Sequence, residues 1–173
     1  TNPLTLSVGD FSTKLAGLLV EKSFFEMFPY SFEEGNGQFQ DNSIVVSQAT
    51  ANTFFGKGRV IGSTIDVQVD KETTRTYTVI GVVDTDAVQS HLNAPFWAAI
   101  PPTVEMETAW FSIDKYNYVK TADGKALADV QHALDQIAET KIFPNLGSTL
   151  TFGEWYARDD AFRLMAQPLD EIY

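Results

Sequence analysis

The histidines and their polar neighbours are the first candidates for chemistry. The chain contains two, His91 and His132, and His91 follows Ser90 and lies close in sequence to Asp84 and Asp86. These residue types make a Ser-His-Asp triad conceivable. However, adjacent serine and histidine side chains rarely form the hydrogen bond that a triad needs, and the chain has no Gly-x-Ser-x-Gly nucleophile elbow. The pattern therefore predicts no catalytic residue, and it places His132 on the flank of a helix.

The remaining polar motifs are typical of turns and solvated surfaces. Asp84 and Asp86 resemble the start of a calcium loop, but the downstream Gly and Glu of an EF-hand are missing. Gly56-Lys57-Gly58 lacks the spacing of a phosphate loop. Neighbouring carboxylates occur at Glu33-Glu34 and Asp159-Asp160, and adjacency in sequence does not place two carboxylates across a cleft. We therefore expect no metal site and no cofactor.

Composition and charge exclude several classes of protein. The chain is 44% hydrophobic, which is enough for a core, and it contains no cysteine, which excludes disulfides and thiolate metal sites. The net charge is -11, with -5 in residues 1–86 (6 basic, 11 acidic) and -6 in residues 87–173 (6 basic, 12 acidic). An evenly acidic chain is not suited to binding nucleic acid or anionic lipid. The longest apolar stretch, Ala94–Ile100, is too short to span a bilayer.

The middle of the chain carries the clearest structural signals. Ser43–Val46 is apolar and β-branched, which predicts a buried strand. Ser47 and Gly56 suit the N-cap and C′ positions of a helix over Gln48–Phe55. An alternating pattern begins at Thr64 and a second strand ends at Val83, so we predict a β-hairpin whose second strand is covered on both faces near its end.

The rest of the chain is predicted to alternate between strands and helices. A helical turn is expected at Phe24–Phe28, ended by Pro29, and a long amphipathic helix at Asp123–Lys141, capped by Asp123. We expect core packing rather than a ligand pocket for Phe24, Phe25 and the other clustered phenylalanines. The other predicted strands are Lys14–Val20 (or a helix start), Tyr30–Glu34, Ala94–Ile100, Ala109–Ser112, Tyr116–Thr121 and Ser148–Phe152, with a helix at Trp155–Met165 and an extended tail at Gln167–Tyr173.

This order of elements predicts an α+β fold. A β-rich segment, residues 38–102, is inserted into an α+β subdomain made from residues 1–37 and 103–173. We expect the two chain ends to lie close together in that subdomain. Because the chain begins at Thr1 rather than Met, we interpret it as a piece of a longer protein, the alternative being a mature secreted protein.

The stretch from Phe24 to Val83 resembles the periplasmic core domain of MacB/FtsX-type ABC transporter permeases. The resemblance is carried by FFEMFPYSFEEGN, SIVVSQATANTFFGKGRVIGSTIDV and YTVIGVV, and more loosely by SHLNAPFWAAIP and the tail QPLDEIY. The motif positions, to which the resemblance assigns structural roles, are Phe24, Phe25, Phe28, Ser47, Phe55, Gly56, Gly62 and Gly81.

The resemblance implies a function outside the cytoplasm without catalysis. The domain would lie on the periplasmic side of the bacterial inner membrane, between two transmembrane helices of a permease. Residues 1–37 with 103–173 would form its Porter-like subdomain, and residues 38–102 its Sabre-like subdomain. Its role would be mechanotransmission, in which ATP hydrolysis by a cytoplasmic subunit moves the domain. A periplasmic adaptor or lipoprotein would be a further partner, and the excised domain would be a monomer.

Two other functions stay open at this point. One is a free-standing periplasmic or surface module that binds a ligand or protein, which would carry a secretory signal and no membrane span. The other is a hydrolase, which only His91 and its neighbours suggest.

Overall fold

The computed structural model describes residues 3–87, 90–100, 116–122 and 125–171. Contacts within the chain divide it into two units, Thr1–Pro102 and Thr103–Tyr173. The first holds the strands and is called the sheet unit; the second is called the helical unit. The predicted strand at Ala109–Ser112 lies outside the described residues.

The described residues of the sheet unit form eight strands and two short helices. The helices are α1 (Phe24–Met27) and α2 (Gln48–Phe55). The strands are β1 (Leu4–Val8), β2 (Phe11–Leu15), β3 (Leu18–Val20), β4 (Phe32–Gly35), β5 (Ser43–Ser47), β6 (Thr64–Gln68), β7 (Thr74–Val83) and β8 (Phe96–Ala99). They form one mixed sheet in the order β2-β1-β6-β7-β5-β8-β3, with β4 also pairing with β7.

Strand β7 organises the sheet because three strands pair with it. Its first half is antiparallel to β6, and its second half is parallel to β5 and antiparallel to β4. The register with β5 shifts between Ile44 and Val45, where Val79 and Gly81 are the successive partners and Ile80 is the extra residue of a β-bulge. The predicted hairpin of β6 and β7 is confirmed, with Ile65, Val67 and the end of β7 buried.

The two faces of the sheet carry different cores. One face is mainly aliphatic and packs against α2, whose Ala51 is buried there. The other face is largely aromatic and centres on Trp97. Because alternate residues of a strand point to opposite faces, Ile44 and Val46 of β5 join the first core and Val45 joins the second. Each fully buried aliphatic side chain contributes roughly 1.5–3 kcal/mol relative to an exposed one.

The division between the units differs from the predicted one. We expected residues 1–37 to group with 103–173, but β1, β3 and β4 hydrogen-bond to β6, β8 and β7 respectively. Residues 4–35 therefore belong to the same sheet as residues 43–99, and the boundary lies between Pro102 and Thr103. The reason is that the amino-terminal strands pair with the hairpin and with β8, and pairing across such distances in sequence leaves no local signal. The Porter-like and Sabre-like assignments stay predictions.

The helical unit contains the predicted long helix, and the segments after it depart from prediction. Helix α3 spans Leu127–Ile137, continues as a π-helix at Ala138–Ile142 and ends in a 3-10 turn at Phe143–Asn145. Helix α4 spans Phe152–Tyr156, and a 3-10 turn occupies Leu169–Glu171. In the part of the chain that the structure describes, no helix has the length and apolar character needed to cross a bilayer.

Several predictions for the helical unit are wrong. Helix α3 is capped by Ala126 rather than Asp123, and its first turn is closed by Asp129, whose carboxylate accepts from the Ala126 amide at 2.9 Å. The segment Tyr116–Thr121 has the composition of a strand but does not form one. The predicted strand at Ser148–Phe152 is the start of α4, because Thr151 and Glu154 form a capping box there. The predicted helix at Trp155–Met165 ends early, at Tyr156.

Candidate functional site

The loop that contains Ser90 is built as a series of turns. The Ser90 hydroxyl accepts a hydrogen bond from the Leu92 amide at 3.1 Å, and the Asp84 carboxylate accepts one from the Asp86 amide at 2.9 Å. These are the local side chain to backbone contacts expected of serine and aspartate in turns. The oxygens that a triad would use are therefore engaged in shaping the loop, and His91 is exposed at its surface.

The loop after α2 does not present a phosphate-binding nest. The Gly56 amide donates to the Asn52 carbonyl at 3.0 Å, and the Gly58 amide donates to the Phe55 carbonyl at 2.8 Å. Amides committed to ending a helix are not available to cradle a phosphate. Within the described ranges, no three histidine, aspartate or glutamate side chains come together as a metal site would require.

Phe55 packs against the first core beside Phe54. The other motif phenylalanines, Phe24, Phe25 and Phe28, come together in an aromatic cluster on the second face of the sheet. Its seven members are Phe24, Phe25, Phe28, Tyr30, Phe32, Phe39 and Trp97. Phe25 lies at the centre, with ring centroids 5.2 Å from Phe32, 5.5 Å from Phe39 and 5.7 Å from Trp97. These distances fall in the range of favourable aromatic pairs, each worth about 0.5–1.5 kcal/mol beyond burial. The cluster therefore fixes α1 against the sheet.

Two glycines allow the backbone to approach this cluster. A Cβ atom on Gly81 would lie 2.5 Å from the Asn36 carbonyl oxygen and 2.7 Å from the Phe32 ring. A Cβ atom on Gly37 would lie 2.6 Å from the Phe25 Cβ. Distances below 3 Å are not compatible with a side chain, so both positions require glycine. The motif positions include Gly81 but not Gly37, because Asn36-Gly37 is a sequence that indicates only a turn.

The aromatic cluster also holds the Ser90 loop in place. The Trp97 indole Nε1 donates to the Leu92 carbonyl at 3.1 Å. Burial raises the pKa of Tyr30, and the nearby Ser90 hydroxyl offsets part of that effect. Ser90 therefore has a structural role, because its hydroxyl accepts from the Leu92 amide and shapes the loop near Tyr30.

The other motif residues lie at the two ends of α2 and at the start of the hairpin. The Ser47 hydroxyl accepts from the Thr50 amide at 3.2 Å, which confirms it as the N-cap. Gly56 ends the helix with a φ of 56°, and Gly62 has a φ of 82° while its amide donates to the Val79 carbonyl at 2.8 Å. Left-handed backbone favours glycine at both positions. The structure therefore places Ser47, Gly56 and Gly62 at points that set the backbone path, apart from the aromatic cluster.

The aromatic cluster and these backbone positions stabilise the fold of the sheet unit. Two solved structures have a similar fold. A domain from Porphyromonas gingivalis described as part of a permease matches with a TM-score of 0.63 and 20% identity, covering 81% of this chain and 66% of that one. The periplasmic region of MacB from Actinobacillus actinomycetemcomitans matches with a TM-score of 0.50 and 16% identity, covering 80% of this chain and 62% of that one.

The fold is therefore the one that periplasmic domains of permeases adopt. The family profile of the MacB-like periplasmic core domain matches residues 3–137. The chain belongs to this family, the periplasmic domains of MacB-like ABC transporter permeases. No curated protein matches the chain by sequence. The chain spans slightly less than two thirds of the length of the two solved structures.

Proposed function

We propose that this domain couples ATP hydrolysis by a cytoplasmic subunit to movement outside the membrane. The parent protein would be a permease subunit of the bacterial inner membrane, and the domain would lie on its periplasmic side. Its partners would be the ATP-binding subunit, reached through the membrane part, and a periplasmic adaptor or lipoprotein. The proposal includes no catalytic step in the domain itself. The observation that carries it is the family match over residues 3–137.

The packing of the sheet unit supports movement as one body. Strand β7 is hydrogen-bonded on both edges, and both faces of the sheet carry buried cores. Closely packed interiors deform little, so a force applied at one edge of such a unit reaches the other edges. Rigid-body rotation of domains is one of the established ways in which conformational change is transmitted. In this proposal the motif residues preserve that rigidity, and the segment after α4 connects the domain to the membrane part.

The first experiment is to read the gene that encodes the chain. The proposal expects apolar segments of about 20 residues before and after this domain. A secretory signal upstream with no membrane span downstream would instead indicate a free-standing binding module and would overturn the proposal.

The second experiment measures movement in the reconstituted transporter. We further propose that the transporter holds two copies of the permease subunit. A cysteine introduced at exposed Lys57 and spin-labelled then reports the distance between the two copies of the domain, because the domain itself has no cysteine that would also react. We expect this distance to change during ATP turnover and to stay constant with an inactive ATPase. A label pair at Lys57 and Lys71, both in the sheet unit, is the matched control and should not change. A constant distance between copies during turnover would contradict the proposal.

A further inference from the structure

Gln131 of α3 holds a segment of chain that has no regular structure of its own. Its Oε1 accepts from the Ala166 amide at 3.0 Å, and its Nε2 donates to the Leu164 carbonyl at 2.9 Å and to the Asp135 carboxylate at 2.9 Å. A carboxamide offers two N–H donors and a carbonyl oxygen with two lone pairs, and here both donors and one lone pair are used. The contacts to residues 164 and 166 reproduce the pair of hydrogen bonds that a neighbouring strand would supply.

A second set of contacts ties the same segment to α4. The Tyr156 hydroxyl donates to the Asp135 carboxylate at 2.6 Å. The Arg163 guanidinium donates to the Tyr156 carbonyl at 2.8 Å and to the Arg158 carbonyl at 2.7 Å, and it lies 5.6 Å from the centroid of the Tyr156 ring. We call Gln131, Asp135, Tyr156 and Arg163 the C-terminal clamp, because together they join α3, α4 and residues 161–168.

The clamp is not a consequence of the family match. The family profile ends at residue 137, so α4 and residues 161–168 lie beyond the residues it matches. Apolar burial contributes to the position of the segment, since Phe162, Leu164 and Ala166 are half-buried while Met165 is 80% exposed. The directional hydrogen bonds of Gln131 add a fixed register between this segment and α3.

We propose that the C-terminal clamp is the linkage that makes residues 161–168 move together with α3, with Gln131 as its central positioning residue. The inference rests on the proposed function, in which the segment after α4 leads to the membrane part. A pull on that segment would reach α3 through Gln131, rather than being absorbed by slack in an unstructured stretch. Without the clamp, the membrane part could move while α3 stayed in place.

The first test measures hydrogen exchange at the Ala166 amide in the whole chain. Gln131→Leu keeps similar volume and removes all three hydrogen bonds, so Ala166 should exchange roughly three- to tenfold faster, as expected for the loss of about one net hydrogen bond. Gln136→Leu on the exposed side of the same helix is the matched control and should leave Ala166 unchanged. Tyr156→Phe, which removes only the contact to Asp135, should have a smaller effect than Gln131→Leu. Equal exchange in Gln131→Leu and Gln136→Leu would overturn the clamp.

The second test uses the reconstituted transporter with the spin label moved to exposed Lys141, on the π-helix that continues α3, so that the label lies in the same unit as the clamp. In Gln131→Leu we expect ATP hydrolysis to continue while the ATP-dependent distance change shrinks by at least half; Gln136→Leu should keep it. Faster exchange at Ala166 with an unaltered distance change would overturn the linkage role while leaving the proposed function intact. A distance that does not change even in the unmodified transporter would overturn the proposed function and this inference together.

Discussion

The sheet unit and the helical unit are stabilised by different kinds of interaction. Among the described residues, the fully buried hydrophobic side chains lie in the sheet unit except for Ala138 and Ile142. The helical unit exposes large apolar side chains, including Tyr116 at 91% and Met165 at 80%. Its parts are joined by hydrogen bonds such as those of Gln131 and Tyr156, and by the half-buried rings of Phe143, Phe152 and Trp155. One unit therefore depends mainly on deep apolar burial, and the other combines partly buried aromatic contacts with directional polar contacts.

This difference suggests a division of mechanical roles. Apolar burial is non-directional and tolerates small adjustments, but it is insensitive to the protonation of carboxylates. Hydrogen bonds to a carboxylate are directional and change when that carboxylate is protonated. The sheet unit should therefore keep its structure under conditions that change the polar contacts of the helical unit. We expect the two units to respond separately to mutation and to acid.

The largest expected effect comes from removing Trp97, which is fully buried in the aromatic cluster. Trp97→Ala should lower the free energy of unfolding of the sheet unit by about 3–5 kcal/mol, as buried aromatic to alanine changes do. Urea denaturation monitored by circular dichroism measures this loss. The matched variant is Trp155→Ala in the helical unit, where the indole is only half-buried against Phe143 and Phe152. Trp155→Ala should lower the free energy of unfolding by roughly 1–2 kcal/mol, since partial burial and the ring contacts with Phe143 and Phe152 are lost. Equal losses in the two variants would contradict the comparison.

An intermediate effect is expected for glycine replacements, with opposite signs in the two units. Gly81→Ala should destabilise the sheet unit by about 1–3 kcal/mol, because the new methyl group meets the Asn36 carbonyl and the Phe32 ring. Gly153 lies in α4 with nothing within 4 Å of the position of a Cβ atom. Gly153→Ala should stabilise the protein by up to about 1 kcal/mol, because alanine loses less backbone entropy in a helix. Thermal unfolding compares the two, and a stabilising Gly81→Ala would refute the close packing around β7.

The parts of the fold that were predicted correctly carry local signals. Strand β5, helix α2 and the β6–β7 hairpin each combine a clear periodicity with a cap or turn residue, as at Ser47 and Gly56. The strand partners of β1, β3 and β4 were not predicted, because pairing between segments tens of residues apart depends on the whole sheet. The segment Tyr116–Thr121 shows the reverse case, since its β-branched and aromatic residues favour a strand that is not formed.

The candidate site was predicted only in part. The clustered phenylalanines were expected to pack together, and Phe25 does lie at the centre of the aromatic cluster. Gly37 and the aromatic partner Phe39 were missed, because each contacts Phe25 through the tertiary fold and neither has a local pattern. Gln131 lies where the sequence predicts only an amphipathic helix, although it binds backbone groups more than 30 residues away. Polar contacts between residues so far apart in sequence leave no local pattern and are seen only in the folded structure.

The smallest expected effect is a response of the helical unit to acid. Hydrogen bonds from Tyr156, and then from Gln131, lower the pKa of Asp135, and Thr151 lowers the pKa of Glu154. Carboxyl groups whose pKa is lower in the folded state contribute stability above their unfolded pKa values of about 4, and that stability is lost as the pH falls through the folded pKa. Below about pH 4, the Ala166 amide should therefore lose protection before the amides of β5 and β7 do, as measured by hydrogen exchange followed by NMR.

Asp70 also has a lowered pKa, through its contacts with the Glu72 and Thr73 amides, so the hairpin turn in the sheet unit should loosen locally over the same range. Asp135→Asn, whose side-chain oxygen can still accept from Tyr156 but does not titrate, should reduce the pH dependence at Ala166 and leave the turn at Asp70 unaltered. Loss of protection in the β5 and β7 core at the same pH as at Ala166 would mean that the two units respond as one, and the contrast between burial and polar contacts would have to be abandoned.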